Sequence, residues 1–227
     1  MAPQVSKMTG VVRDQLSMTY PLTPDWQRID LPDADVVLRP RWLATDEADT
    51  LFAALLATIP WETHHIRLFG RDVASPRLSC WIGDAGTGYT YSKTHFEPRP
   101  WPAALTALRS RVEVACEARF NSVLANLYRD GNDSMGWHSD DEPELGDQPL
   151  IASLSLGAER GFRLRRKLPR GVRVRPDDTL RLSLPHGSLL RMAGQTQRLY
   201  RHDLPKARAV ASARLNLTFR WVSRRGS

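Results

Sequence analysis

Two stretches of the chain carry apolar residues at helical spacing. From Asp46 to Thr58, Ala48, Leu51, Phe52, Leu55 and Leu56 fall on one stripe, which predicts an amphipathic helix. Thr45 is the expected N-cap, Asp46 and Glu47 suit the positive end, and Pro60 stops the helix. From Trp101 to Phe120, Leu105, Leu108, Val112 and Cys116 share a face, with Pro102 in the first turn of a second predicted helix. Between them, Trp61 to Pro100 is rich in turn residues and aromatics: Gly70, Gly83, Gly86 and Gly88 alternate with Phe69, Trp81, Tyr89 and Tyr91. Short strands and loops are expected there.

Beyond Asn121 the spacing shortens to that of strands. Val123–Tyr128, Leu150–Leu156, Phe162–Arg166, Thr179–Leu184, Ser188–Met192 and Arg214–Trp221 are short runs separated by turn residues. Two helices followed by many strands predict an α+β fold, a sandwich or barrel of strands supported by helices on one side.

The 227 residues suit one domain, expected over 21–227, with residues 1–20 as a lead-in. That lead-in mixes Lys7, Arg13 and Asp14 with small polar residues and lacks the apolar region of a signal peptide. No stretch reaches the length of a membrane helix, so no membrane partner is expected. Cys80 and Cys116 sit among apolar neighbours without CxxC spacing and read as buried reduced thiols. Charge changes the picture more. The chain carries a net charge of +7, and Arg160, Arg163, Arg165, Arg166, Lys167, Arg170, Arg173 and Arg175 crowd one segment. A polyanionic partner fits that charge, and so does a solvated charged hairpin.

The last strand carries candidate chemistry. Arg214, Asn216, Thr218 and Arg220 share one face; Leu215, Leu217, Phe219 and Trp221 share the other. The apolar face belongs to a core. The polar face points either to water or to a ligand, and two arginines spaced in this way can hold both ends of a dicarboxylate. Asn126 and Tyr128 repeat the theme in an otherwise apolar strand, where buried polar groups need partners. In Trp137-His138-Ser139-Asp140, His138 and Asp140 lie on one side of an extended chain. A lone HxD is weak evidence. With a later histidine, His202, and then the arginine-bearing strand, it fits the two-histidine, one-carboxylate face that holds non-haem iron(II). The other histidines, His186 among them, lack such a context. No HExxH motif supports a zinc hydrolase.

Five blocks occur in order: Asn126-Leu127-Tyr128-Arg129-Asp130-Gly131, Trp137-His138-Ser139-Asp140-Asp141-Glu142, Ile151 to Ala158, His186 to Leu190, and Arg214-Leu215-Asn216-Leu217-Thr218-Phe219-Arg220. From about Pro60 to Val222 the chain resembles the AlkB dioxygenases, in particular the branch of the mammalian nucleic-acid demethylases. The resemblance implies a double-stranded β-helix (jelly-roll) core with a nucleotide-recognition lid at about 61–100. It implies Fe(II) held by His138, Asp140 and His202, with O2 as co-substrate. It places 2-oxoglutarate against Asn126, Tyr128, Arg214, Asn216, Thr218 and Arg220. The implied reaction is oxidative dealkylation of bases such as 1-methyladenine and 3-methylcytosine, releasing succinate, CO2 and an aldehyde.

The same resemblance assigns base contacts to Asp141, suited to a cationic lesion, and to Tyr89, Tyr91 and Ser92 of the lid. A target base must be flipped or single-stranded. Phe69 and Gly70 resemble a wedge that fills the vacated stack, with Arg77 touching the strand backbone. Arg165, Arg166, Lys167 and Lys206, with Arg208 beside them, are the expected phosphate contacts. The partner implied is alkylated DNA, with RNA as the alternative, and the protein is expected to act as a monomer. Its place is the cytoplasm with the nucleoid in a bacterium, or the nucleus in a eukaryote. Two other readings stay open: a catalytically inactive basic nucleic-acid-binding module, and the same oxygenase chemistry on RNA or protein.

Overall fold

The computed structural model describes residues 25–68, 71–91, 94–169, 171–173, 175 and 178–223. Two short strands, β1 (Gln27–Arg28) and β2 (Asp35–Arg39), precede helix α1 (Thr45–Thr58). Two small hairpins flank strand β5 (Leu78–Gly83): β3 (His65–Leu68) with β4 (Arg71–Ala74), and β6 (Tyr89–Tyr91) with β7 (Thr94–Phe96). After helix α2 (Ala103–Cys116) come β8 (Ser122–Tyr128), β9 (Met135–His138), β10 (Ile151–Gly157) and β11 (Arg160–Arg166). Then follow β12 (Thr179–Leu184), β13 (Ser188–Ala193), a single helical turn α3 (Thr196–Leu199), β14 (Tyr200–Leu204) and β15 (Arg214–Arg220).

The strands form a seven-stranded sheet in the order β1-β2-β13-β10-β15-β8-β5 and a four-stranded sheet in the order β12-β11-β14-β9. From β8 onward the chain passes between the two sheets, and every strand pairing in them is antiparallel. The central strands β13-β10-β15-β8 therefore face β12-β11-β14-β9, four against four, in the expected jelly-roll arrangement. β1, β2 and β5 extend the larger sheet at its edges.

Alternation along the strands divides two cores. Leu215, Leu217 and Phe219 of β15, Val123 and Ala125 of β8 and Leu154 of β10 pack outward against the helices, meeting Leu55 of α1 and Leu105, Leu108, Val112 and Cys116 of α2. Val36, Leu38, Ile151, Phe162, Leu164, Leu190 and Met192 fill one end of the space between the sheets. Each fully buried side chain of this size contributes roughly 1.5–3 kcal/mol. The other end of that space is polar and holds the site.

Several local expectations change. Ala44, with extended dihedrals, occupies the N-cap of α1 and no side chain caps the helix; Thr45 is already helical. Pro102, not a first-turn residue, is the N-cap of α2. That helix ends at Cys116 rather than at Phe120, because Glu117 turns to a left-handed conformation at φ 51° and its amide bonds back to Glu113 and Val114. Phe120 then enters the core, its ring 6.0 Å from that of Phe219. Trp221 lies past the end of β15 and is exposed, while Val222 is buried in its stead. Within 61–100, β5 is a buried strand of the larger sheet, paired with β8. Among the described residues no helix is long and apolar enough to cross a membrane.

Candidate metal centre and co-substrate chamber

The jelly-roll crossing brings His138 and His202 together. β9 and β14 are neighbours, and the two histidines pair directly in register. Their rings meet edge to face at 4.2 Å. Asp140 follows the end of β9. One ligand atom from each of His138, Asp140 and His202 lies within 4.8 Å of the others.

Neighbouring groups fix each of the three. The Nδ1–H of His138 donates to the Gly136 carbonyl at 2.8 Å, which leaves Nε2 with a lone pair. The ring of Phe162 lies 5.3 Å from that of His202. Gln197 of α3 accepts from the Asp140 amide at 3.0 Å, and Arg220 donates to the Asp140 carboxylate at 2.9 Å. Burial alone would raise the Asp140 carboxyl, but Arg220 and the two histidines bring it down to about 2. Burial, and then the neighbouring His138, push His202 down to about 3, and burial lowers His138 as well. At neutral pH the site therefore presents two neutral imidazoles and one carboxylate. Two nitrogen donors and one oxygen donor on one side of a buried space fit a divalent first-row metal with open positions, as non-haem iron(II) requires.

The chamber continues from the histidines along the polar face of β15, past Thr218 and Asn216 to Arg214, with Asn126 and Tyr128 of β8 beside them. Both arginines of β15 line this chamber. Arg220 marks the metal end, and Arg214 stands six positions away in the sequence. Its Nη2 donates to Ser155 Oγ at 2.8 Å, while Nε and Nη1 are buried without a hydrogen bond. Burial pulls this guanidinium down to about 10, so it remains charged at neutral pH. A buried cation with two unsatisfied donors is costly unless an anion enters beside it. The chemistry of this end fits a carboxylate.

The remaining expected residues are placed unevenly. Tyr128 is buried between the guanidiniums of Arg160 and Arg214, at 5.9 and 5.4 Å. Asn216 donates to Ser153 Oγ and the Leu154 carbonyl, and accepts from Thr218, so much of its amide is used inside the sheet. Arg77 is not at a surface. It lies just before β5 in a buried position, where it donates to Asn126 Oδ1 and Ser75 Oγ at 2.8 Å each. Asp141 is exposed and holds Lys167 at 2.7 Å. Lys167 also donates to the Gln197 carbonyl, and Arg166 pairs with Asp33. Lys206 and Arg208 are exposed. Phe69, Gly70 and Ser92 lie outside the described residues. Tyr89 and Tyr91 are the outer positions of β6, in register with Phe96 and Thr94.

Four contributors escaped the sequence. Ser153 and Ser155 bond Asn216 and Arg214, a role that their inward alternation on β10 beside an arginine strand could have signalled. Gln197 had no signal. Arg160, counted with the surface charge run, is buried and donates to the carbonyls of Asp130, Asp133 and Pro205.

Residues 35–220 match the profile of the 2OG-Fe(II) oxygenase superfamily, and the chain belongs to that superfamily. Over 196 residues it is 40% identical to the alpha-ketoglutarate-dependent dioxygenase alkB homolog 3 of Homo sapiens and to that of Bos taurus. That match covers 82% of this chain and 66% of either relative, just under two thirds of their length. It is 39% identical over 212 residues to the DNA oxidative demethylase ALKBH2 of Mus musculus, covering 88% of this chain and 85% of the relative. Within the superfamily the chain falls in the AlkB group. The solved structure of OsALKBH1 shares the fold at a TM-score of 0.58 and 17% identity, over 86% of this chain and 99% of that one.

Proposed function

We propose that the protein is an Fe(II)- and 2-oxoglutarate-dependent dioxygenase that removes alkyl groups from nucleobase nitrogens in DNA, and in RNA where the strand is open. One observation carries the reading: a two-histidine, one-carboxylate set and a buried arginine with unsatisfied donors share one chamber. The names of the ALKBH2 and alkB homolog 3 relatives agree with it.

His138, Asp140 and His202 would hold the iron. Bound there with 2-oxoglutarate and O2, it supplies oxidation of an N-alkyl carbon, with succinate and CO2 as co-products and an aldehyde lost as the base is restored. The chain does the rest. Arg214 anchors the remote carboxylate of 2-oxoglutarate, with Asn126, Tyr128 and Thr218 beside it. Arg220 and Gln197 fix Asp140, and Gly136 sets the tautomer of His138. Phe162 and Met192 bound the chamber with apolar surface and help to exclude water. At the mouth, Asp141 faces the base, and its charge favours cationic lesions such as 1-methyladenine and 3-methylcytosine. Tyr89, Tyr91 and Ser92 cradle the flipped base, and Phe69 with Gly70 fills the gap left in a duplex.

The test is formaldehyde release from 1-methyladenine and 3-methylcytosine in matched single- and double-stranded DNA and RNA, at stated salt because affinity depends on it. His138→Ala and Asp140→Ala are expected to release none. Binding of every oligonucleotide without release by the wild-type protein would make it a binding module instead.

A further inference from the structure

The outer face of the smaller sheet collects arginines in a way that the chamber does not use. Inward positions of β11, β12 and β14 carry Phe162, Leu164, Leu182, Leu184 and His202; outward positions carry Arg163, Arg165, Arg181 and Arg201. The register sets these cations directly opposite one another. Arg163 faces Arg181 across β11 and β12, and Arg165 faces Arg201 across β11 and β14. Like charges in opposed positions destabilise a sheet. Compensation is partial. Asp203 pairs with Arg163, and Glu159 is taken by the Ser183 hydroxyl. Among the described residues, Arg165, Arg181 and Arg201 have no carboxylate partner, and Arg181 and Arg201 are exposed.

Trp137 orders part of this face. It directly precedes His138 on β9, so alternation turns it outward as His138 turns in. Its half-buried ring lies under the guanidiniums of Arg163 and Arg165, at 5.0 and 4.2 Å. A guanidinium stacked on an indole has lost much of its freedom already, so it gives up less on meeting an anion. Neighbouring strands place cations about 4.8 Å apart, and alternate positions on one strand about 6.7 Å apart. That is a two-dimensional lattice of positive charge, fit for a repeating anion and oversized for a single phosphate.

We infer that this sheet face is a second nucleic-acid site, where Arg165, Arg181 and Arg201 track the phosphates of a strand beyond the nucleotide held in the chamber, with Trp137 as the residue that positions Arg165. The inference rests on nucleic acid being the substrate of the chamber. It predicts length dependence: a long strand gains affinity from this face, while a short one does not.

The experiment measures binding of a labelled, unmodified 20-nucleotide single strand by fluorescence anisotropy over a salt series. Arg181→Ala/Arg201→Ala is expected to flatten the slope of log affinity against log salt by about 1.4, two phosphate contacts at about 0.7 each. Arg181→Lys/Arg201→Lys is expected to keep the slope. Turnover of a methylated trinucleotide is expected to be unchanged in both, which guards against misfolding. An unchanged slope in the alanine variant overturns the inference. So does loss of binding to polyglutamate with an unchanged nucleic-acid slope, which would make the face a dock for acidic protein. If the wild type turns over no methylated nucleic acid of any length, the proposed function fails instead, and the slope on unmodified DNA still reports on this face by itself.

Discussion

Arg220 donates to Asp140 at 2.9 Å, and both side chains are only 4% exposed. One partner is an expected metal ligand and the other an expected 2-oxoglutarate contact, so the two halves of the site are joined before either is filled. The pair is buried, and removing one member of such a pair commonly costs about 3–5 kcal/mol, because the other charge is stranded. Arg220→Met should lower the urea midpoint of the metal-free protein accordingly. A divalent cation would then replace the lost positive charge. Manganese(II) is therefore expected to stabilise the variant by more than it stabilises the wild type. Equal stabilisation of both proteins would show that the guanidinium and the metal do not share Asp140.

Arg214 should behave in the opposite way. It is buried with two unsatisfied donors, so the folded protein without ligand bears its desolvation cost. Arg214→Met is expected to leave metal-free stability unchanged or raised. The same change should weaken 2-oxoglutarate by roughly tenfold to a hundredfold, the worth of a charged hydrogen bond of about 1.5–3 kcal/mol. Thermal shifts with manganese(II), with and without 2-oxoglutarate, read both effects. A destabilised variant that still binds 2-oxoglutarate normally would make Arg214 a structural residue.

These contrasts show what a sequence exposes and what it hides. The alternation of Arg214, Asn216, Thr218 and Arg220 against Leu215, Leu217 and Phe219 was legible because a strand with one apolar face and one polar face has a single way to pack. It failed at Trp221. There the Asn121 side chain clamps the backbone N–H and C=O of Val222 at 2.7 Å each, a partnership with no local signal. β9 and β14 escaped for a related reason. Their inward positions include His138 and His202 where other strands carry leucine, so the chemistry erased the pattern that reveals strands. The charge run was legible as charge only. Arg160 is buried, Arg163 is paired with Asp203 and Arg165 lies on Trp137, and those fates depend on which strand comes alongside.

On the base contact proposed for Asp141, its ion pair with Lys167 bears on lesion choice. The pair is substantially exposed, 27% and 55%, so it contributes at most about 1 kcal/mol to stability. Its larger effect is on charge. While Lys167 holds Asp141, part of the negative field that would greet a cationic base is cancelled. Lys167→Met is expected to raise the preference for 3-methylcytosine over the neutral 3-methylthymine by up to about fivefold, the equivalent of about 1 kcal/mol. Asp141→Asn should reverse that preference while sparing the neutral lesion. Competition of the two lesions within one oligonucleotide preparation measures the ratio directly, and a ratio unmoved by either variant would remove Asp141 from base recognition.

The two cysteines offer a test of the cores away from the site. Burial pushes the Cys80 thiol up to about 11 and the Cys116 thiol up to about 12. Thiolate is the reactive form, so at pH 8 neither should react with a thiol reagent in the folded protein, and both should react in denaturant. The pH dependence has a definite sign. Below about 9 each thiol is protonated in both states and contributes no slope. Above that, the unfolded chain releases protons that the folded chain keeps, so folding stability falls as pH rises toward 11 and 12. The slope is at most about 1.4 kcal/mol per pH unit for each thiol. Replacing both with alanine should flatten the fall in stability between pH 9 and 11, at the cost of two small cavities visible at pH 7. Rapid labelling of either cysteine at pH 8 would mean that the core between the larger sheet and α2 opens far more readily than its packing implies.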